Sequence, residues 1–206
     1  MSLEKTIGVV GLGYVGLTLA TVLAEVGFKV IGIEKRPDVV DLTNAGKPHF
    51  SENGLPDALE RVVRRRSLVA CTTFNPTEPC GIYVITVGTP LGPDGVARLD
   101  MIEAASHQVA EAMPEGAMVI LRSTVKIGTA RNVVAPILRT SGKAFEIAMC
   151  PERTLEGRAL QELRELPQIV GADEQAVRAR AGDVFRHLTN SIVQVSSLEA
   201  AEIVKL

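Results

Sequence analysis

Six residues, Gly11-Leu12-Gly13-Tyr14-Val15-Gly16, have the types and spacing to hold a pyrophosphate. Gly11 permits a tight turn, Gly13 lets the backbone approach the phosphates, and Gly16 lets a helix pack closely on a strand. A helix opening at this turn presents unpaired N–H groups and a positive dipole end to the anion. Glu34 follows a little over twenty residues after Gly11, where a carboxylate can meet the hydroxyls of an adenosine ribose. Its charge opposes a 2′-phosphate, so the spacing predicts NAD as cofactor, with Lys35 and Arg36 working against that preference. A bare glycine pattern also fits an ordinary βα turn. Here strand, turn, helix and acid all stand in place, and a dinucleotide accounts for all of them.

Other candidate groups fall where open α/β sheets bind ligands, outside the carboxyl ends of the strands. The hydroxyls of Thr89, Ser123 and Thr124 can bond a ribose, a nicotinamide or a water, and equally can cap helices or close turns. In Cys150-Pro151-Glu152-Arg153-Thr154-Leu155-Glu156-Gly157, the two carboxylates flank Arg153 and would share a face if the segment were helical. That set offers acid–base and anchoring groups, or else a solvated acidic turn. Cys150 has no histidine beside it, which makes it a small apolar residue rather than an activated nucleophile. His49, His107 and His187 are scattered and form no metal-ligand set.

The elements that must position these groups alternate between strand and helix. Strands are expected at residues 5–10, 29–33, 68–72, 82–87, 117–121, 145–149, 168–170 and 192–195. Helices are expected over 17–24, 37–45, 55–65, 100–112, 129–139, 158–163 and 173–188. This order implies right-handed crossovers and a Rossmann-type, doubly wound parallel sheet with helices on both faces. One NAD-binding domain over residues 1–196 accounts for nearly everything. Ser196-Ser197-Leu198-Glu199 reads as a capping box with Ser196 as N-cap. The helix it starts, Leu198 to Leu206, has no stop signal and is expected to be the beginning of a truncated central helix over 197–206.

Bulk composition limits the remaining classes. The 206 residues carry a net charge of −2, which offers no field for nucleic acid or an anionic membrane. The basic run Arg61 to Arg66 fits the end of a helix, where cations complement the dipole. Hydrophobic residues make up 46% and aromatics only 3%, so the core must be aliphatic, as in buried parallel strands. Three cysteines without C-x-x-C spacing fit a reducing compartment, and no apolar run reaches the roughly 18 residues of a membrane span. The expectation is a cytoplasmic protein.

Taken in order along the chain, these segments resemble the UDP-glucose/GDP-mannose dehydrogenase family of nucleotide-sugar 6-dehydrogenases. The resemblance rests on Gly11 to Leu17, Leu42-Thr43-Asn44-Ala45-Gly46, Glu52 with Gly54-Leu55, and Val87-Gly88-Thr89-Pro90. It continues through Ser123-Thr124-Val125, Pro151-Glu152-Arg153 and Ala201-Glu202-Ile203-Val204-Lys205-Leu206. Cys150-Pro151-Glu152-Arg153 is most similar to the UDP-N-acetylmannosamine dehydrogenase branch, while Glu156 is similar to the glucose branch. The resemblance implies oxidation of a UDP-sugar C6 alcohol to a carboxylate with two NAD, through a cysteine thiohemiacetal and thioester. It implies Glu34 on the adenosine ribose, Gly11, Gly13, Tyr14, Val15 and Gly16 around the pyrophosphate, and Thr89 and Thr124 beside the nicotinamide. Glu152, Arg153, Thr154 and Leu155 would face the nucleotide sugar. Catalytic roles fall to Glu156 as base, Lys205 against the developing alkoxide, and Thr124. The family's nucleophilic cysteine, dimerising central helix and second domain have no counterpart in these residues. The resemblance therefore implies a chain that binds NAD without turnover, and a homo-oligomer only through that helix. A standalone NAD-binding or sensing module is the alternative from another class. A β-hydroxyacid-type dehydrogenase shares the glycine turn and leaves Pro151-Glu152-Arg153 and Thr89-Pro90 unexplained.

Overall fold

The computed structural model describes residues 5–75 and 77–205. Short β-branched runs form the strands β1 (Thr6–Val10), β2 (Lys29–Ile33), β3 (Leu68–Cys71), β4 (Ile82–Ile85), β5 (Ala117–Leu121), β6 (Phe145–Met149), β7 (Gln168–Gly171) and β8 (Ile192–Val195). The helices are α1 (Tyr14–Glu25), α2 (Pro37–Asn44), α3 (Leu55–Arg64), α4 (Asp100–Ala112), α5 (Ala135–Arg139), α6 (Ala159–Glu165), α7 (Gln175–Arg186) and α8 (Leu198–Ile203). A wide π-helical turn, Ala130–Val134, leads into α5. Pro136 stands just beyond it, and its ring cannot accept the ordinary approach of the carbonyl one turn back.

The strands form one sheet in the order β3-β2-β1-β4-β5-β6-β7-β8. The first six are parallel, so the crossovers must place helices on both faces. Side chains alternate accordingly. Met118 and Ile120 of β5 join α1, α3, α6 and α7 in one core layer, while Ala117, Val119 and Leu121 join α4, α5 and α8 in the other. Both layers are aliphatic, as the composition required.

The expectation of a wholly parallel sheet is corrected at its far end. β7 meets β6 antiparallel through Met149 and Gly171, and β8 runs parallel to β7. The connection explains the reversal. α6 has 7 residues, about 10 Å of helix at 1.5 Å per residue, too short to carry the chain back along a strand of about 17 Å. The chain instead re-enters from the carboxyl edge.

Two further expectations change. The cap of α8 is Ser197, not Ser196: the Ser197 hydroxyl accepts the N–H of Ala200 at 3.0 Å. Glu199 then faces outward and pairs with Arg131 at 2.5 Å rather than closing a capping box. α8 stops at Ile203, with Val204 and Lys205 in a turn, and Leu206 lies outside the described residues. The basic end of α3 behaves as a helix terminus, with Arg61 paired to Glu25 at 2.6 Å.

Candidate functional site

The glycine turn joins β1 to α1, and each glycine has its own constraint. Gly11 sits at φ +90, which an L side chain resists. A Cβ on Gly16 would lie 1.8 Å from the Gly11 carbonyl oxygen and 2.5 Å from the Thr86 hydroxyl, so only glycine lets helix and strand approach this closely. Gly13 has the opposite character: a Cβ there would meet nothing within 4 Å. It is the exposed point of the turn, where a ligand can reach the backbone. Gly13 also caps α1 without a side chain, leaving the first-turn N–H groups of Tyr14 and Val15 open to an anion. Thr86 holds the turn from below, donating to the carbonyls of Val10 and Gly11 at 2.9 and 2.8 Å.

A cleft of about 320 Å³ opens over this turn, lined by Gly11, Gly13, Glu34, Lys35, Gly88 and Gln108 among others. Glu34 stands at the end of β2 and accepts the Leu12 N–H at 3.0 Å and the Arg36 N–H at 3.1 Å. A carboxylate has about four acceptor positions, so two remain for ribose hydroxyls. Arg36 turns away and pairs with Asp38 at 2.5 Å. Of the two cations foreseen beside Glu34, Arg36 is thereby engaged elsewhere, while Lys35 is exposed and lines the cleft. These residues fit a dinucleotide: a bare anion cradle, a close-packed helix, and a carboxylate fixed to the turn.

The strand-end hydroxyls knit the next part of the site. Ser123 donates to the Val87 carbonyl at 2.6 Å, and Thr89 donates to the Thr124 carbonyl at 2.6 Å. The exits of β4 and β5 are thereby tied together. Thr124 itself is exposed at their junction.

The segment after β6 is an irregular loop, so the shared helical face expected of Glu152 and Glu156 does not exist. Its backbone donors are taken up by three carboxylates. Glu152 accepts the N–H groups of Arg153 and Thr154 at 2.6 and 2.9 Å, and Glu162 accepts that of Leu155 at 2.7 Å. Glu52 accepts those of Gly157 and Ala159 at 2.7 and 2.9 Å. With these five amides engaged, the loop presents chiefly its side chains to a ligand. Arg153, Leu155 and Glu156 are exposed and Thr154 is half-buried.

Glu152 is the correction to the expected substrate-facing set. Its side chain is 7% exposed, and Arg122 donates to its other oxygen from two nitrogens at 2.9 and 2.5 Å. Four donors fill the carboxylate, leaving no acceptor for a ligand. Burial would raise its pKa, but the Arg122 charge and the two backbone donors outweigh that and hold it below the ordinary value. Glu152 holds the loop; it does not touch what the loop binds. Arg122 also donates to the Gln168 side chain at 3.0 Å and the Cys150 carbonyl at 3.1 Å, and lies 5.0 Å over the Phe185 ring. Nothing in the sequence reading singled out this arginine. The available signal was a cation placed directly after the apolar run Ala117 to Leu121.

Cys150 is fully buried, and burial pushes its thiol up to about 12, in keeping with an apolar role. Tyr14 sends its ring away from the open first-turn amides. The phenol donates to Glu52, has the Leu155 carbonyl 3.1 Å away, and accepts the Gly157 N–H at 3.0 Å. Burial and the Glu52 bond raise the phenol above its ordinary value, so it stays a donor at neutral pH. Among the described residues no hydrogen bond or ion pair joins Thr124, Glu156 and Lys205. Lys205 follows α8, which is anchored where Glu202 accepts the N–H groups of Gly128 and Ala130 at 2.5 and 2.8 Å. That bond fixes the Lys205 turn against the segment that begins at Thr124.

Comparison with known proteins bears on this site. The model of the UDP-glucose/GDP-mannose dehydrogenase family, NAD binding domain, matches residues 5–189. A UDP-N-acetyl-D-mannosamine dehydrogenase from Campylobacter jejuni is 33% identical over 210 residues, covering 96% of this chain and 51% of the relative. A solved UDP-D-ManNAc dehydrogenase from Pyrococcus horikoshii superposes with a TM-score of 0.89 at 31% identity, covering 97% of this chain and 49% of that one. A GDP-mannose dehydrogenase from Pseudomonas aeruginosa superposes with a TM-score of 0.90 at 30% identity, covering 97% and 48%. A 3-hydroxyisobutyrate dehydrogenase from Mycobacterium tuberculosis, at 15% identity and a TM-score of 0.66, shares the fold. The chain spans about half the length of the curated relatives it matches.

Proposed function

The chain belongs to the UDP-glucose/GDP-mannose dehydrogenase family, and on that premise we propose that it is the cofactor half of an enzyme oxidising a UDP-sugar C6 alcohol to the carboxylate. UDP-N-acetylmannosamine is the favoured substrate. The observation that carries the cofactor assignment is Glu34, fixed to the glycine turn with two acceptors left and with Arg36 drawn off to Asp38. NAD, when bound, accepts the electrons of the alcohol oxidation. The chain's own residues bind and orient. The open amides of Tyr14 and Val15 hold the pyrophosphate, Glu34 the adenosine ribose, and Thr89 and Thr124, at the tied exits of β4 and β5, stand on the nicotinamide side. Arg153, Thr154 and Leu155 meet the nucleotide sugar, with Glu156 as a base beside them. Lys205 supplies a fixed ammonium to the developing alkoxide, worth on the order of 3 kcal/mol in a dry site.

The chain by itself is proposed to bind NAD without turnover. Cys150 and Cys80 are buried thiols pushed up to about 12. Cys71 lies on the edge strand, four strand positions from β5 and roughly 19 Å away at ordinary strand spacing. None is placed as the nucleophile of a two-step oxidation. Incubating the purified chain with NAD and UDP-glucose, UDP-N-acetylglucosamine or UDP-N-acetylmannosamine is expected to give no steady NADH production, and steady production from any of them contradicts the proposal. For the full-length gene product, the same three substrates rank the sugar, with UDP-N-acetylmannosamine expected first.

A further inference from the structure

The residue that opens α1 at the cofactor turn also holds the loop proposed to meet the sugar. Tyr14 contributes one of the first open amides of the helix, while its phenol reaches Glu52, the Leu155 carbonyl and the Gly157 N–H. Glu52 is 4% exposed and binds the N–H groups of both Gly157 and Ala159, so the phenol and the carboxylate form one cluster around the loop's end. The ring between them is braced by Phe50, 5.1 Å away between centroids. The bonds at the phenol and the contact with Phe50 hold the two side-chain torsions of Tyr14. Fixing the backbone at Tyr14 therefore fixes the point from which residues 155–157 hang. Asn53 gives the loop a separate support, donating to the Gly157 carbonyl at 2.8 Å without touching Tyr14.

We infer that Tyr14 is a positioning residue that couples the two halves of the site: a dinucleotide seated on the turn orders the loop at residues 153–157 through the Tyr14–Glu52 contact. The coupling rests on the cofactor reading above. By linkage it is reciprocal, so a ligand that orders the loop strengthens dinucleotide binding by the same factor. The amides of Arg153, Thr154, Leu155, Gly157 and Ala159 are engaged within the protein, which makes their opening a direct report of the loop's order.

The test is hydrogen exchange on the 206-residue chain with and without saturating NAD, read at residues 11–16 and 153–159. In the native chain NAD is expected to slow exchange in both segments, by at least threefold at the loop. In Tyr14→Phe, which keeps the backbone amide and weakens NAD binding by the coupling factor, NAD is raised until titration shows the variant saturated, and the loop's ratio with and without NAD then falls to one. In Asn53→Ala the loop exchanges faster in both conditions and the ratio persists, which a merely structural role for Tyr14 would also give in Tyr14→Phe. A native chain protected at the turn but not at the loop overturns the coupling and leaves the cofactor reading standing; protection at neither overturns both. Loop protection that survives Tyr14→Phe overturns the role of the phenol. Should that variant loosen the whole fold, the native ratio alone still decides whether the coupling exists.

Discussion

Replacing Arg122 by methionine keeps most of the side-chain volume and removes the charge beneath the 151–157 loop. Glu152 loses donors at 2.9 and 2.5 Å, and the Gln168 side chain and Cys150 carbonyl lose theirs at 3.0 and 3.1 Å. Arg122 is 0% exposed at its side chain and Glu152 7%, so water cannot replace the arginine without the loop opening. Removing one partner of such a buried pair costs about 3–5 kcal/mol. With a urea dependence of about 2 kcal/mol per molar, the midpoint falls by roughly 1.5–2.5 M. The pH dependence sharpens the test. In the native chain Glu152 lies below its ordinary pKa, so its contribution is present above the unfolded value and is lost as pH falls through the folded one. In Arg122→Met, burial acts without a counter-charge and raises the carboxyl, so the penalty eases as pH falls from 7 towards 5. Urea unfolding at both pH values measures the gap. A loss below about 1 kcal/mol, or a gap constant between pH 7 and 5, refutes the account of this pair.

Other outcomes follow from the same geometry. Gly13→Ala is expected to fold with the native melting temperature and to bind NAD at least tenfold more weakly, a loss of about 1.4 kcal/mol, because its Cβ meets no protein atom and enters the ligand's path. Gly16→Ala is expected to lower the melting temperature itself, since its Cβ lies 1.8 Å from a backbone oxygen; calorimetry beside titration separates the two variants. Glu34→Gln keeps an acceptor for the Leu12 N–H and loses the charge, so the preference for NAD over NADP should shrink in competitive titration. Glu199, held at about 2 by its bonds to Arg131, contributes stability above its unfolded pKa that is lost as pH falls from the ordinary glutamate range towards 2. A carbon-detected titration should show this value, and Arg131→Ala should return it to the ordinary range.

The cofactor cradle was legible in the sequence because each of its parts is local. A turn needing φ +90 at Gly11, a close approach at Gly16 and an acid ending the next strand sit within one βαβ unit. Features that depend on distant partners were not. Glu152 and Glu156 look equivalent as residues, and only the Arg122 cation, 30 residues earlier in the chain, decides that one is interior and the other exposed. The Tyr14 phenol meets a carbonyl 141 residues away, a pairing no local pattern encodes. The reversal of β7 had a readable signal in the shortness of α6, but helix length is the least certain part of a periodic reading. The choice of Ser197 over Ser196 turns on one residue of register, settled by which hydroxyl reaches Ala200.

The central claim is that Glu34 and the glycine turn make this chain an NAD site. Isothermal titration of the purified chain with NAD and with NADP tests it most directly. One NAD per chain is expected, with NADP at least tenfold weaker; no heat with either, or NADP binding as tightly as NAD, contradicts this assignment.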